Sequence, residues 1–77
     1  EGGTFLQLGD RGPAVEALQG MLRLYGYGVD INGTFDAATQ ATVRAFQRHF
    51  RPSRVDGIAD SSTVITLHRL LQDQQQA

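Results

Sequence analysis

The stretch NGTFDAAT, residues 32–39, decides the fold, because the chain writes it twice. Twenty-four residues further on it reads DGIADSST, residues 56–63, so that Gly33 corresponds to Gly57, Asp36 to Asp60 and Thr39 to Thr63. Asn-Gly and Asp-Gly are turn dipeptides. An aspartate just after such a turn, ahead of a periodic apolar run, is placed as a helix N-cap whose carboxylate accepts from the free N–H groups of the next turn. The repeat therefore spells turn, cap and helix, two times over.

Working outward, a second echo links the helix before this stretch to the one after it. AVEALQ (14–19) matches TVRAFQ (42–47) at an offset of twenty-eight. Gly12 stands at an N-cap, and Pro13 at the first helical position, where its missing N–H costs nothing. Val15, Leu18, Leu22 and Tyr25 recur at three- and four-residue steps and share one face. Gly26 is placed to end that helix in a left-handed conformation. Val43, Phe46 and Phe50 mark the second helix, which Pro52 stops. Val64, Leu67, Leu70 and Leu71 mark the third.

The pattern predicts helices over 13–25, about 37–50 and about 61–72, with at most a short bridge of sheet. Val15, Leu18, Leu22, Val43, Phe46, Leu67 and Leu70 are expected in the core. One such helix cannot bury its stripe alone, but three together can. The expected fold is an all-α, compact three-helix bundle built from repeated turn-helix units. It is a single domain over 1–77, with a lead-in over 1–8 whose Phe5, Leu6 and Leu8 are available to pack. The polar tail over 73–77 is expected to fray.

Seventy-seven residues make a marginal core, and the chain has no cysteine to staple it. Packing and local geometry must supply the stability. The net charge of −1 argues against nucleic acid or an anionic membrane surface as a partner. No apolar run is long enough to span a bilayer, and there is no signal-peptide pattern. Glu1-Gly2-Gly3 reads as the cut end of a longer protein.

Candidate chemistry is sparse. His49 and His68 are nineteen residues apart, and with Asp56 as a third ligand they fit no compact metal spacing. DINGTFD (30–36) resembles a calcium loop briefly, but Phe35 stands where the loop glycine belongs and Ala41 where its last glutamate belongs. Asp36 and Asp60 are assigned to capping, which favours the ionised form and is wrong for a general acid. No catalytic residue and no metal ligand is assigned. The feature left over is RAFQRHFRPSR (44–54), with Arg44, Arg48, Arg51 and Arg54. Arg44, Arg48 and Arg51 fall on one helix face, opposite the apolar stripe. Arg44 reads as a solvated residue. Arg51 and Arg54, in the loop before the second turn, read as free of any core role and better suited to hold carboxylates. Tyr27 either wedges between helix and loop or stacks on a sugar.

The ordered set Gly9-Asp10, Gly12, Val15, Leu18-Gln19, Leu22, Tyr25-Gly26-Tyr27, Asn32-Gly33, Phe35-Asp36, Thr39, Val43, Phe46-Gln47, Val55-Asp56-Gly57, Ala59-Asp60 and Thr63 resembles the three-helix peptidoglycan-binding domain of bacterial cell-wall hydrolases. AFQRHFRPSRVDGIAD (45–60) is similar, more narrowly, to the C-terminal domain of Gram-negative zinc N-acetylmuramoyl-L-alanine amidases that act on (anhydro)muropeptides. Asn32 stands where the family often has Asp, and Asp36 and Asp60 where many members have Gly.

The resemblance implies a non-catalytic module that holds a linked hydrolase against murein. It implies no cofactor in this chain, with zinc in the parent catalytic domain. The implied partners are a glycan strand or stem peptide and the linked catalytic domain, with no nucleic acid and no membrane span. The implied setting is the periplasm or the outer membrane of a Gram-negative bacterium. Contact with the wall is expected through Arg51, Arg54, Tyr27, Arg48 and Asp56, in a groove between helices floored by the repeated turns. The alternative is a structural or regulatory module that packs on its own catalytic domain without touching wall.

Overall fold

The computed structural model describes residues 5–76, with side chains through 74. Glu1 to Thr4 of the lead-in, and Ala77 of the tail, lie outside the described residues. The elements run α1 (Pro13–Tyr25), α2 (Ala37–Phe50) and α3 (Ser61–Gln76), the all-α architecture expected. Two isolated antiparallel bridges, Leu6 with Ala59 and Arg11 with Thr34, are the sheet pairing among the described residues. The third helix continues past 72 to Gln76. No glycine or proline interrupts QDQQQ, and glutamine is a good helix former.

Each helix start follows from its local sequence. At α1, Gly12 caps with its backbone only, and Pro13 opens the helix. At α2, the Asp36 carboxylate accepts from the Thr39 N–H and the Thr39 hydroxyl, both at 2.9 Å. At α3, Asp60 Oδ1 accepts from the Thr63 N–H at 2.9 Å. Gly26 ends α1 at φ 126°, and its N–H donates to the Leu22 and Arg23 carbonyls.

The core takes Val15, Leu18 and Leu22 from α1, Val43 and Phe46 from α2, and Leu67 and Leu71 from α3. α1 makes its main helix packing against α3. Leu70 is only partly buried, and Leu71 takes the core position instead. Leu71 lies one full turn after Leu67, so it repeats the Leu67 direction more closely than Leu70 does. Three further core residues come from the connections rather than the helices: Val29, Phe35 and Ala59. Of the lead-in side chains, Leu6 packs against the core, while Phe5 and Leu8 stay half exposed.

Two glutamines are also in the core. Gln19 and Gln47 are both fully buried, one on α1 and one on α2. Each reaches forward to the turn that follows its helix. Gln19 Oε1 accepts from the N–H groups of Asn32 (3.0 Å) and Gly33 (2.9 Å). Its Nε2 donates to Asn32 Oδ1 (3.0 Å), the Thr34 carbonyl (3.0 Å) and Thr39 Oγ1 (2.9 Å). Gln47 repeats the set one unit later. Its Oε1 accepts from Asp56 N–H (3.1 Å) and Gly57 N–H (2.9 Å). Its Nε2 donates to Asp56 Oδ1 (3.2 Å), the Ile58 carbonyl (2.9 Å) and Thr63 Oγ1 (3.1 Å). Gly33 and Gly57 both sit at φ 76°, a conformation that only glycine adopts freely. The lead-in is stitched to the same turns. Gly12 N–H donates to the Gly33 carbonyl (2.9 Å), Phe35 N–H to Asp10 (2.8 Å) and Ala59 N–H to Leu6 (2.8 Å).

Three outcomes follow for stability. Phe46→Ala empties a buried aromatic site and should cost about 3–5 kcal/mol, read from urea melts; an unchanged midpoint would place Phe46 outside the core. Gln47→Leu keeps the bulk but strands the Asp56 and Gly57 N–H groups, each orphaned group costing about 1–3 kcal/mol; a melt equal to the parent's would show that the turn holds without it. The third concerns acid. The Thr39 backbone N–H, then its hydroxyl, hold the Asp36 carboxyl below its ordinary value. Burial alone would raise Asp60, but the Thr63 N–H and Arg51 outweigh it and leave it lowered too. A depressed folded pKa stabilises the fold above the unfolded value of about 3.9 and loses that effect as pH falls through the folded value. Thermal midpoints should therefore hold from neutral pH to about pH 5 and drop below about pH 4. A midpoint that rises on acidification would contradict this.

Candidate functional site

Three of the arginines that the sequence singles out, Arg44, Arg51 and Arg54, lie beside the second turn and its cap, and the structure gives them unequal work. Arg51 is the C-cap of α2. Its Nη1 donates to Asp60 Oδ1 (3.0 Å) and Oδ2 (3.3 Å), and its side chain is only 19% exposed. Its Nε and Nη2 are buried with no hydrogen-bond partner. Arg51 thus ties the end of α2 to the cap of α3. The expectation that it is free of a core role does not hold, because the short PSR loop brings it back over Asp60.

Arg54 differs. Its Nε donates to Asp56 Oδ2 at 3.0 Å, yet its side chain is 66% exposed. An exposed pair of this kind contributes little to stability, so its outer N–H groups remain open to a ligand. Asp56 is spent internally. Its Oδ1 accepts from the Ile58 N–H (3.0 Å) and Gln47, and its Oδ2 from Arg54. The Ile58 N–H is the main reason its carboxyl sits below the ordinary range, with Arg54 adding to it. Arg48 is exposed on α2, as is Arg44. The Arg44 stem nonetheless lies against Gly57, where an added Cβ would come within 3.1 Å of its Nε.

Tyr27 is half-buried in an aromatic group. It stacks on Tyr25 at 6.2 Å between ring centres and meets Phe46 edge-on at 6.4 Å. Tyr25 in turn meets Phe50 at 5.6 Å, and Phe50 meets the exposed His49 at 4.5 Å. Burial, then Tyr25, raise the Tyr27 hydroxyl above its ordinary pKa, so it stays a neutral donor. Wedging and exposure therefore coexist at this residue.

A groove of about 440 Å³ lies between α1 and the start of α3. Ala14, Ala17 and Met21 form one wall, Val64 and Ile65 the other, and Leu6 and Ala59 lie between them. The two alanines leave the room, and the Leu6–Ala59 bridge sets the lead-in beside them. No charged side chain lines it. The second repeat contributes Ala59 and Ser61 to its lining, but the Asn-Gly and Asp-Gly dipeptides do not floor it. No signal in the sequence marked it: Ala14 and Ala17 look like ordinary helix formers.

Among the described residues no group of three or more His, Asp or Glu side chains is placed to hold a metal ion, and both histidines are exposed. No helix among them is long and apolar enough to cross a membrane.

Residues 11–67 match the peptidoglycan binding domain family. Similar solved structures include an endolysin of Burkholderia phage AP3, 41% identical with a TM-score of 0.78, over 83% of this chain and 24% of that one. A fused Zn-dependent amidase/peptidase/peptidoglycan-binding domain-containing protein from Clostridium acetobutylicum is 32% identical, with a TM-score of 0.77, over 84% of this chain and 29% of that one. The SleB N-terminal domain is 31% identical, with a TM-score of 0.82, over 90% of this chain and 94% of that one. This chain thus spans under a third of the endolysin and of the fused amidase. No curated protein matches it. The family match runs from the Arg11 bridge through Leu67 and contains both glutamine-held turns, and the chain belongs to the peptidoglycan-binding domain family.

Proposed function

We propose that this chain is a non-catalytic wall-binding module that holds a linked hydrolase, an N-acetylmuramoyl-L-alanine amidase with zinc in its own catalytic domain, against peptidoglycan in a Gram-negative periplasm or at the outer membrane. The family match over 11–67 carries the reading. The fused amidase from Clostridium acetobutylicum supports the linkage, and the AFQRHFRPSRVDGIAD stretch supports the amidase type. Gln19, Gln47, Thr39 and Thr63 are engaged within the chain, as parts of the scaffold that presents the surface. The gain from such a module is effective concentration, since a tethered weak binder keeps its enzyme near a polymer without new contacts in the active site.

Within this reading the five expected contact residues divide. Arg54 and Arg48 are exposed, and their planar forks suit stem-peptide carboxylates. Tyr27 offers a neutral hydroxyl and a ring edge. Arg51 and Asp56 hold the loop that presents Arg54. The uncharged α1–α3 groove suits the methyls of the polymer's N-acetyl and lactyl groups, with their amide and carbonyl groups left facing water.

Sedimentation with purified sacculi tests the reading. The parent chain should pellet with them. Replacing Arg48 and Arg54 together by Ala should weaken binding by about tenfold, equivalent to about 1.4 kcal/mol, and the difference should shrink in high salt, where exposed charges are screened within a few ångströms. Ala17→Trp, which fills the groove, should weaken binding at any salt. A folded parent that stays in the supernatant would remove the binding function. Pelleting unchanged in both variants would move the contact surface elsewhere.

A further inference from the structure

Asn-Gly is the dipeptide in which an asparagine most readily loses its amide. The backbone nitrogen of the glycine, once deprotonated, attacks the asparagine side-chain carbonyl carbon. The new C–N bond closes a five-membered succinimide, and the side-chain amide nitrogen leaves as ammonia. Water then adds across either ring C–N bond, giving Asp or its isomer isoaspartate. Glycine favours the attack because it has no side chain to block it. Asn32 is exposed, so water and hydroxide reach it.

We infer that Asn32-Gly33 is a latent deamidation site, held shut in the folded chain by the side chain of Gln19. The nucleophile is the Gly33 nitrogen, and its N–H donates to Gln19 Oε1 at 2.9 Å. An amide oxygen is too weak a base to remove that proton, and it shields the proton from hydroxide. The electrophile is anchored as well. Asn32 Oδ1 accepts from the Thr34 N–H and from Gln19 Nε2, both at 3.0 Å, while its Nδ2 faces Asp36 Oδ2 at 3.4 Å. Swinging the side-chain carbon onto the Gly33 nitrogen breaks these bonds together. One effect runs the other way: two donors on Oδ1 make its carbon more electrophilic. The nucleophile decides the balance, because a protonated amide nitrogen does not attack however polarised its target is.

The second turn shows what the product would meet. Asp56 stands at the corresponding position, and its Oδ1 accepts from Ile58 N–H (3.0 Å) and Gln47 Nε2 (3.2 Å) as Asn32 Oδ1 does in the first turn. An Asp at 32 therefore fits the Gln19 contacts. Isoaspartate, which adds a carbon to the backbone, does not. The Asp product would also face Asp36 across a gap now bridged by the Asn32 amide, with no arginine like Arg51 or Arg54 paired there among the described residues.

The test compares the intact chain, native and in concentrated urea, at mildly alkaline pH. Peptide mapping by mass spectrometry follows the amide-to-acid conversion, and isoaspartate-specific enzymatic methylation follows the isomer. Amide hydrogen exchange at Gly33 is read on the native chain. The native chain should deamidate at least about fivefold more slowly than the unfolded one, the effect of one net hydrogen bond of about 1 kcal/mol, with the Gly33 amide protected like those of the helix interiors. Equal rates in the two states would overturn the inference. Slow native deamidation with a freely exchanging Gly33 amide would overturn the role given to Gln19.

Discussion

Two buried glutamines hold this domain together. Gln19 and Gln47 each place one amide against two consecutive backbone N–H groups of a tight turn, then against a backbone carbonyl and a threonine in the first turn of the next helix. The turn needs such a partner. Gly57 is buried and Gly33 partly buried, and unpaired backbone groups there would be costly. Each glutamine therefore fixes the path from one helix to the next. A domain this small, with no disulfide, gains rigidity from these glutamine-centred hydrogen bonds as well as from apolar area.

The two turns solve one geometric problem with different charges. The first carries Asn32 and Asp36, and the amide of one faces the carboxylate of the other at 3.4 Å. The second carries Asp56 and Asp60, which would repel each other. There the chain supplies Arg54 for Asp56 and Arg51 for Asp60, both at 3.0 Å. The arginine-rich stretch is thus in part the counterpart of a second carboxylate. This explains why Arg51, which looks like a free surface cation in the sequence, is mostly covered.

The capping aspartates and the two glutamines are engaged within the chain. Among the groups that stay outward are Arg48, the outer side of Arg54, part of the tyrosine pair and an apolar groove between α1 and α3. Such a division of a rigid scaffold from an open surface suits a binding domain of the family that residues 11–67 match.

The sequence by itself determined the helices, their caps and most of the core. Those features are local: an aspartate caps the turn that follows it, a proline or glycine ends what precedes it, and apolar residues at three- and four-residue steps share a face. The same locality misplaced little more than Leu70 against Leu71 and the end of α3. Only the tertiary structure decided the rest. Gln19 and Gln47 were visible as a repeat at an offset of twenty-eight, beside turns repeating at twenty-four, yet nothing in either helix says that a polar side chain turns inward. Its partners lie nine to twenty residues away, and only the packing of α1 and α2 over their turns brings them within reach. The same holds for Arg51, whose burial depends on where Asp60 lands, and for the groove, which exists because two alanines of α1 come to face the first turns of α3.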